Sequence, residues 1–235
     1  MSNILVLDIE TAPITALVWG LFNQNIGLNQ IRDNGGILCV GMKWLGDKKS
    51  TVLVSKWEHG YEGMLETVHD YLSKADATIT YNGDRFDLPK LRGAFAEIGK
   101  GPPPPTNSID VYKSVKKLGL ISNKLAFVGP FYKIGKKIAT GGMELWTGVM
   151  DGDTKSQKTM ERYCVQDVLL LEQAYVRLLP YLVNHPNIGG GTGSCPQCSS
   201  INLHKRGFRY TKLLKIQRML CLACESWSDG QRIKI

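Results

Sequence analysis

Four apolar residues in a row, Ile4, Leu5, Val6 and Leu7, predict a strand buried on both faces. The run ends in Asp8 and Glu10 with only Ile9 between them. Side chains alternate along a strand, so both acids point one way, roughly 6–7 Å apart. Farther along, "ILCVGMKWL" and "STVLVSKW" read as two more strands joined by the turn "GDKK". Met64, Leu65, Val68, Tyr71 and Leu72 recur at helical spacing within "YEGMLETVHDYLSKA", and "ATITYNG" is a short strand stopping at Gly83. "LPKLRGAFAEIG" has Pro89 in a first helical turn and Gly99 at its end. "GPPPP" is an extended connection, because successive prolines cannot continue a helix. "SIDVYKSVKKL" reads as a short strand entering a helix. The longest helical pattern, "TKSQKTMERYCVQDVLLLEQAYVRLL", gathers Met160, Tyr163, Cys164, Asp167, Val168 and Leu171 near one face.

Strands alternating with helices predict an α/β domain whose sheet is covered. The short turn between two early strands makes part of that sheet antiparallel. The glycine-rich "NIGGGTGS" at 187–194 reads as a linker between a domain over 1–186 and a tail over 195–235. The stretch from Ala12 to Asn34 has no period and is long for a connection, the kind of segment that often carries binding function. No apolar run reaches the length of a membrane span; the richest is cut by Glu172, Gln173 and Arg177. With no secretory signal pattern at the N-terminus either, the expected location is the cytoplasm, without a membrane partner.

Charge divides the chain as the linker does. Residues 189–235 hold eight Lys/Arg and two acids, a net of +6 out of the total of +8. Such a tail suits a polyanionic partner, most often nucleic acid, although a solvated basic face has the same composition. Cysteines divide too: Cys39 and Cys164 stand alone among apolar residues and read as core. Cys195, Cys198, Cys221 and Cys224 form two C-x-x-C knuckles separated by 22 residues. Four thiolates at that spacing are a signature for one tetrahedral Zn²⁺, which stabilises a segment too short to build a core of its own.

Three acidic features lie in order along the first part: D-x-E at Asp8 and Glu10, "NGDRFDLP" at 82–89, and Tyr163 with Asp167 one helical turn apart. Singly each has a plain reading. Asp87 can cap a helix, and a Tyr–Asp pair is common on an amphipathic one. Together they resemble the DEDD superfamily of 3′–5′ exonucleases, which share a ribonuclease-H-like fold. Asn82, Gly83, Phe86, Asp87 and Pro89 match N-G-x-x-F-D-x-P, the form in the branch related to proofreading domains of family B DNA polymerases. Tyr163 and Asp167 match Y-x-x-x-D; no His occupies the equivalent place, which puts the chain in the tyrosine (DEDDy) branch. The resemblance covers about residues 3–182, and its fold is a mixed sheet flanked by helices. It implies that Asp8, Glu10, Asp87 and Asp167 bind two Mg²⁺ or Mn²⁺ ions and that Tyr163 faces the attacking water. Asp84 is expected in a turn, Asp110 beside the site or in a structural role, and Asp151 and Asp153 in a solvated loop. Trp19 and Phe22 are expected in the core, with stacking on a substrate base as the alternative.

The tail resembles the zinc ribbons of insertion-sequence transposases and some transcription proteins, with Glu225 where a glycine usually follows the second knuckle. Its interleaved aromatic and basic residues, Phe208 and Tyr210 among Lys205, Arg206, Arg209, Lys212, Lys215 and Arg218, suit nucleic-acid binding, with a protein partner as the alternative. Asn82 is a further expected nucleic-acid contact. The reading is a nuclease that removes 5′-mononucleotides from a free 3′ end of DNA. Trimming of RNA ends, as in ribonuclease-D-like relatives, is the alternative, and a non-catalytic binding module is the reading from another class.

Overall fold

The structure is a computed structural model describing residues 3–48, 51–183, 185–188, 191 and 193–235. The chain runs β1 (Ile4–Ala12), β2 (Thr15–Ala16), β3 (Ile31–Asp33), β4 (Gly36–Trp44), β5 (Val52–Ser55), α1 (Lys56–His59), α2 (Tyr61–Ser73) and β6 (Ala77–Thr80). It continues through α3 (Asp87–Glu97), β7 (Asn107–Asp110), α4 (Val111–Val115), α5 (Leu125–Phe131), α6 (Met143–Met150) and α7 (Thr154–Leu178). β8 (Leu203–Tyr210), β9 (Leu214–Cys221) and β10 (Trp227–Lys234) complete it.

The main sheet has the order β5-β4-β1-β6-β7. β4 pairs with β1 and β5 antiparallel, whereas β6 pairs with β1 and β7 parallel, so the sheet is mixed as its connections require. Its central strand is the apolar run that opens the chain. Leu5, Leu7 and Ile9 pack on one face with Met64, Leu65 and Val68 of α2 and Leu91 and Phe95 of α3. Val6 packs on the opposite face with Ile79, Ile109 and the Val168–Leu178 part of α7. Helices on both faces let the central strand stay apolar from Ile4 to Leu7, up to its two acids.

α7 begins at Asp153, whose carboxylate accepts the N–H groups of Lys155 and Ser156; Asp153 is therefore a helix cap rather than a plain loop residue. Lys43 and Glu172, both nearly buried, bond at 2.7 Å and pin α7 along β4. Among the described residues no helix is long and apolar enough to cross a membrane.

The tail forms its own antiparallel sheet, β10-β9-β8. Gly189, Gly190 and Thr192 of the expected linker lie outside the described residues.

Candidate active site

Alternation along β1 gives Asp8 and Glu10 the face of Val6, toward α7. β6 pairs with β1 only from Ile4 to Val6. Beyond that ladder the N–H of Ile9 is left on an open edge, and it donates instead to Asp87 Oδ1 at 3.2 Å. Asp87, the first residue of α3, is buried there and stands in for a strand partner between the two acids of β1. A bulge opposite the Glu10–Thr11 step bends the strand just past the carboxylates.

The loop from β6 to α3 is shaped by "NG". Asn82 adopts a left-handed φ of 67°, and a Cβ on Gly83 would meet the Thr80 side chain at 2.4 Å. Only glycine fits that approach. Asp110 accepts the Asn82 N–H at 2.8 Å and the Asp84 N–H at 3.4 Å, and it also caps α4 through Tyr112 N–H. Its role is thus to hold the loop that delivers Asp87. Asp84 accepts from Ser108 Oγ at 2.5 Å and pairs with Lys113, outside the cluster of Asp8, Glu10 and Asp167, as a turn residue would.

α7 supplies the last two residues. Gly41 of β4 lies opposite Asp8, and a Cβ there would be 2.7 Å from Val168 and 3.1 Å from Cys164 Sγ. Its bare backbone lets α7 press onto the sheet, and Asp167, only 2% exposed, reaches Asp8 and Glu10. Carboxylate oxygens of Asp8, Glu10 and Asp167 lie within 4.8 Å of one another. Cys39 and Cys164 are buried beneath them, the Cys164 thiol 3.9 Å from the Asp8 carbonyl.

Lys137 completes the cluster, and no motif announced it. Its Nζ donates to Asp167 Oδ2 at 2.5 Å and to the Tyr163 hydroxyl at 3.1 Å. The only hint in the sequence was a basic "GKK" between the second and third acidic features. Trp146 packs edge-on against Tyr163 and donates its indole N–H to the Thr11 carbonyl at 3.0 Å, tying the aromatic wall to β1.

Crowding four acids has an electrostatic cost. Loss of water around Asp8, then repulsion from Asp87, Glu10 and Asp167, holds its carboxyl well above the usual range. Glu10 is pushed up to about 8 by burial and by Asp167, and Asp87 to about 6, mainly by burial. Burial opposes the charge on Lys137, but Asp167 and Tyr163 more than offset it and hold the ammonium protonated. Asp167 Oδ1 is buried with no hydrogen-bond partner. An all-oxygen donor set with an unsatisfied inward carboxylate oxygen fits a hard divalent cation such as Mg²⁺ or Mn²⁺.

The connection after β1 departs from the core packing expected of it. Trp19 is 100% exposed and Phe22 81% exposed, with Leu21 and Leu28 also in solvent. An arm closed at its base by Leu17 N–H to Gln30 C=O and by the β2–β3 pair carries them outward. No charged residue occurs from Ala12 to Ile31. Its apolar residues lack the periodicity that marks a buried face, and the polar residues between them leave no continuous core stripe.

In the tail the four cysteines meet, with Cys195–Cys224 and Cys198–Cys221 sulfurs each 3.6 Å apart, compatible with a zinc ribbon. The knuckles repeat one geometry. Ser199 N–H bonds Cys195 C=O and Glu225 N–H bonds Cys221 C=O, each at 2.9 Å, with both residues left-handed. Lys205, Arg206, Lys212 and Arg218 are exposed around the ribbon, and Lys215 lies over the Phe208 ring at 4.2 Å. Arg209 is instead taken up by Asp229 in a two-pronged bond at 2.6 and 2.9 Å.

Among curated proteins none matches the sequence. Among solved structures, the fold is similar to that of the family B DNA polymerase from the hyperthermophilic archaeon Pyrobaculum calidifontis, with a TM-score of 0.59 at 17% identity. That similarity covers 77% of this chain and 25% of the polymerase, so the chain spans about a quarter of it. A family model described as the ribonuclease H superfamily matches residues 26–179, a span that includes β4, α3 and α7 with Asp87 and Asp167. With a mixed sheet that brings acids from β1, α3 and α7 together, and with that match over more than half its length, the chain belongs to the ribonuclease H superfamily.

Proposed function

We propose that this chain is a metal-dependent 3′–5′ exonuclease that hydrolyses DNA from a free 3′ end and releases 5′-mononucleotides. Residues 1–186 would carry the chemistry and 195–235 the grip on nucleic acid, with 187–194 linking them. The observation that carries the reading is the convergence of Asp8, Glu10 and Asp167 within 4.8 Å, with Asp87 bonded to the strand between the first two. Two divalent ions held by these four carboxylates would activate the attacking water and stabilise the leaving oxygen. Tyr163 is pushed up to about 12 by burial and by Asp167, so its hydroxyl stays protonated. Lys137 donates to the phenolic oxygen and the Tyr163 O–H bonds the Asp167 carboxylate, which sets the hydroxyl at the edge of the carboxylate cluster. Lys137 holds that hydroxyl and Asp167 in register and places a positive charge where a phosphodiester would arrive.

Trp19 and Phe22, carried on the arm that leaves the end of β1, would stack on unpaired bases. Cys195, Cys198, Cys221 and Cys224 would hold a structural Zn²⁺ in the ribbon. The family match and the polymerase-like fold support a nuclease; the DNA preference rests on the N-G-x-x-F-D-x-P pattern.

The test is digestion of end-labelled single-stranded DNA, duplex DNA and RNA with Mg²⁺ or Mn²⁺ titrated in. The expected result is a ladder shortening from the 3′ end of DNA. Preferential shortening of RNA would replace the DNA assignment, and binding without cleavage at any metal concentration would sink the enzymatic one.

A further inference from the structure

Charge is divided unequally around the axis of α7. Its three acids are all committed to neighbours: Glu161 accepts the Trp57 indole N–H at 2.7 Å, Asp167 takes Lys137, and Glu172 takes Lys43. Asp153, just before the helix, is taken up by the cap. Lys155, Lys158 and Arg162 are exposed and form no carboxylate ion pair among the described residues. At 3.6 residues per turn they lie roughly 120–180° around the helix from Asp167, in a row on the side turned away from the carboxylate cluster. The Lys136 carbonyl accepts the Gln166 side chain at 3.4 Å, which brings the exposed Lys136 beside the end of that row. The row borders an open recess of about 760 Å³ lined by Thr154, Lys155, Lys158, Glu161 and Arg162, with no aromatic ring in its wall. Glu161 is the one acid there, and the Trp57 indole holds it at the flank.

Such a row opposes the folding of its own helix. Lys155 and Lys158, then Lys158 and Arg162, stand three and four residues apart, where like charges repel. Lys155 and Lys158 also occupy the first turns of α7, the positive end of the helix dipole, where acids are favoured. A polyanion lying along the row offsets both effects. From Lys155 to Gln166 the helix rises about 16 Å, the span of about five phosphates on one strand of a duplex. An unpaired strand exposes bases that call for aromatic partners, and the wall of this recess has none. A duplex keeps its bases stacked inside and presents phosphate, which is all that a row of cations can bind. We propose that the outer face of α7 is a further nucleic-acid site, for the backbone of double-stranded DNA, with Lys155, Lys158, Arg162 and Lys136 along the phosphates of one strand. Recognition there is of charge and not of sequence. Arg162 directly precedes Tyr163, so the duplex site and the reactive face share one rigid helix and keep a fixed separation.

Binding and cleavage are measured separately, so the site and the exonuclease reading can fail independently. The full chain and its Lys155→Gln/Lys158→Gln/Arg162→Gln variant are compared by fluorescence anisotropy in buffer without Mg²⁺ or Mn²⁺. The probes are a labelled blunt duplex of about 20 base pairs, roughly 70 Å long, and an oligothymidylate of the same length. The variant is expected to bind the duplex about tenfold or more weakly at about 0.1 M salt. Its slope of log affinity against log salt should be shallower by about 2.7, near 0.9 for each phosphate no longer neutralised. Affinity for the oligothymidylate and metal-dependent hydrolysis of a dinucleotide should stay unchanged. Lys155→Arg/Lys158→Arg, which keeps the charge, should retain the duplex, and weakening there would overturn a site made by charge alone. Equal weakening on duplex and single strand, no weakening on either, or a wild-type chain without affinity for the duplex would overturn it as well.

Discussion

Asp8, Glu10, Asp87 and Asp167 repel one another in a space made nearly dry by β1 and α7, where burial pushes Glu10 up to about 8 and Asp87 to about 6. Raised values mean that the folded chain binds more protons than the unfolded one, so stability falls as pH rises. For Glu10 the contribution is complete below the ordinary 4.5 and is lost as pH climbs through about 8. A divalent ion removes the repulsion and binds only the ionised acids. The rise in Tm caused by Mg²⁺ over EDTA should therefore grow between about pH 6 and about pH 8, measured by scanning fluorimetry. A shift independent of pH would contradict this account.

At the same scale, Asp8→Ala or Asp167→Ala should abolish cleavage, whereas Tyr163→Phe should retain part of it, since phenylalanine keeps the ring that packs on Trp146. Full metal-dependent cleavage by the Asp8/Asp167 double variant would remove these residues from the chemistry. Glu225, left-handed at 61° where ribbons usually carry glycine, should give way to Gly with a gain of up to about 1 kcal/mol in chemical denaturation. The five residues of the acidic features were legible because each type sits at a fixed offset in a strand, a loop or a helix. Lys137 was not. A lysine in an irregular loop has no offset to betray it, and only the packing of "GKKIAT" against α7 brings it to Asp167.

At the level of elements, α7 is where the site is aligned. Its apolar period predicted the buried face correctly, and Met160, Cys164, Val168 and Leu171 are all in the core. The sequence did not show how close the helix comes, because that depends on Gly41, a residue of another element. Gly41→Ala should push α7 off β4 and reduce cleavage sharply while the chain still folds; far-ultraviolet circular dichroism alongside the digestion assay separates the two effects. Glu172→Ala strands Lys43 in a nearly closed space, and breaking such a pair costs about 3 kcal/mol in urea titration. The outward course of the arm between β1 and β4 is not legible in the sequence for the opposite reason. Its apolar residues have no partner element, and composition alone does not say which way a loop turns.

For the whole molecule, the charge is divided in a way the sequence displayed openly: an acidic centre in the first part and a net of +6 after residue 188. The two parts also come near one another. Tyr175 of α7, hydrogen-bonded to His185 at 2.8 Å, is held well above the usual phenol range by burial and by nearby Cys198 and Cys224. Cys198 and Cys224 of the knuckles thus lie within electrostatic reach of the helix that carries Asp167. Replacing Cys195 and Cys224 by Ser together should cost the chain its zinc, measured by metal quantification, and weaken its salt-dependent hold on long single strands. Dinucleotide hydrolysis should survive, because among the described residues the carboxylate cluster draws only on β1, α3, α7 and Lys137. That proximity could not be read beforehand, since a glycine-rich linker leaves the placement of the tail open.

The exposure of Trp19 also gives the molecule a built-in optical reporter. Trp44, Trp57 and Trp146 are at least partly shielded and Trp227 is 54% exposed, so Trp19 is the indole most open to a quencher in water. Its emission should be red-shifted and readily quenched by acrylamide, and stacking on a base should darken it. A drop in emission on adding single-stranded DNA, absent in Trp19→Phe, would then time the arrival of substrate without any attached dye.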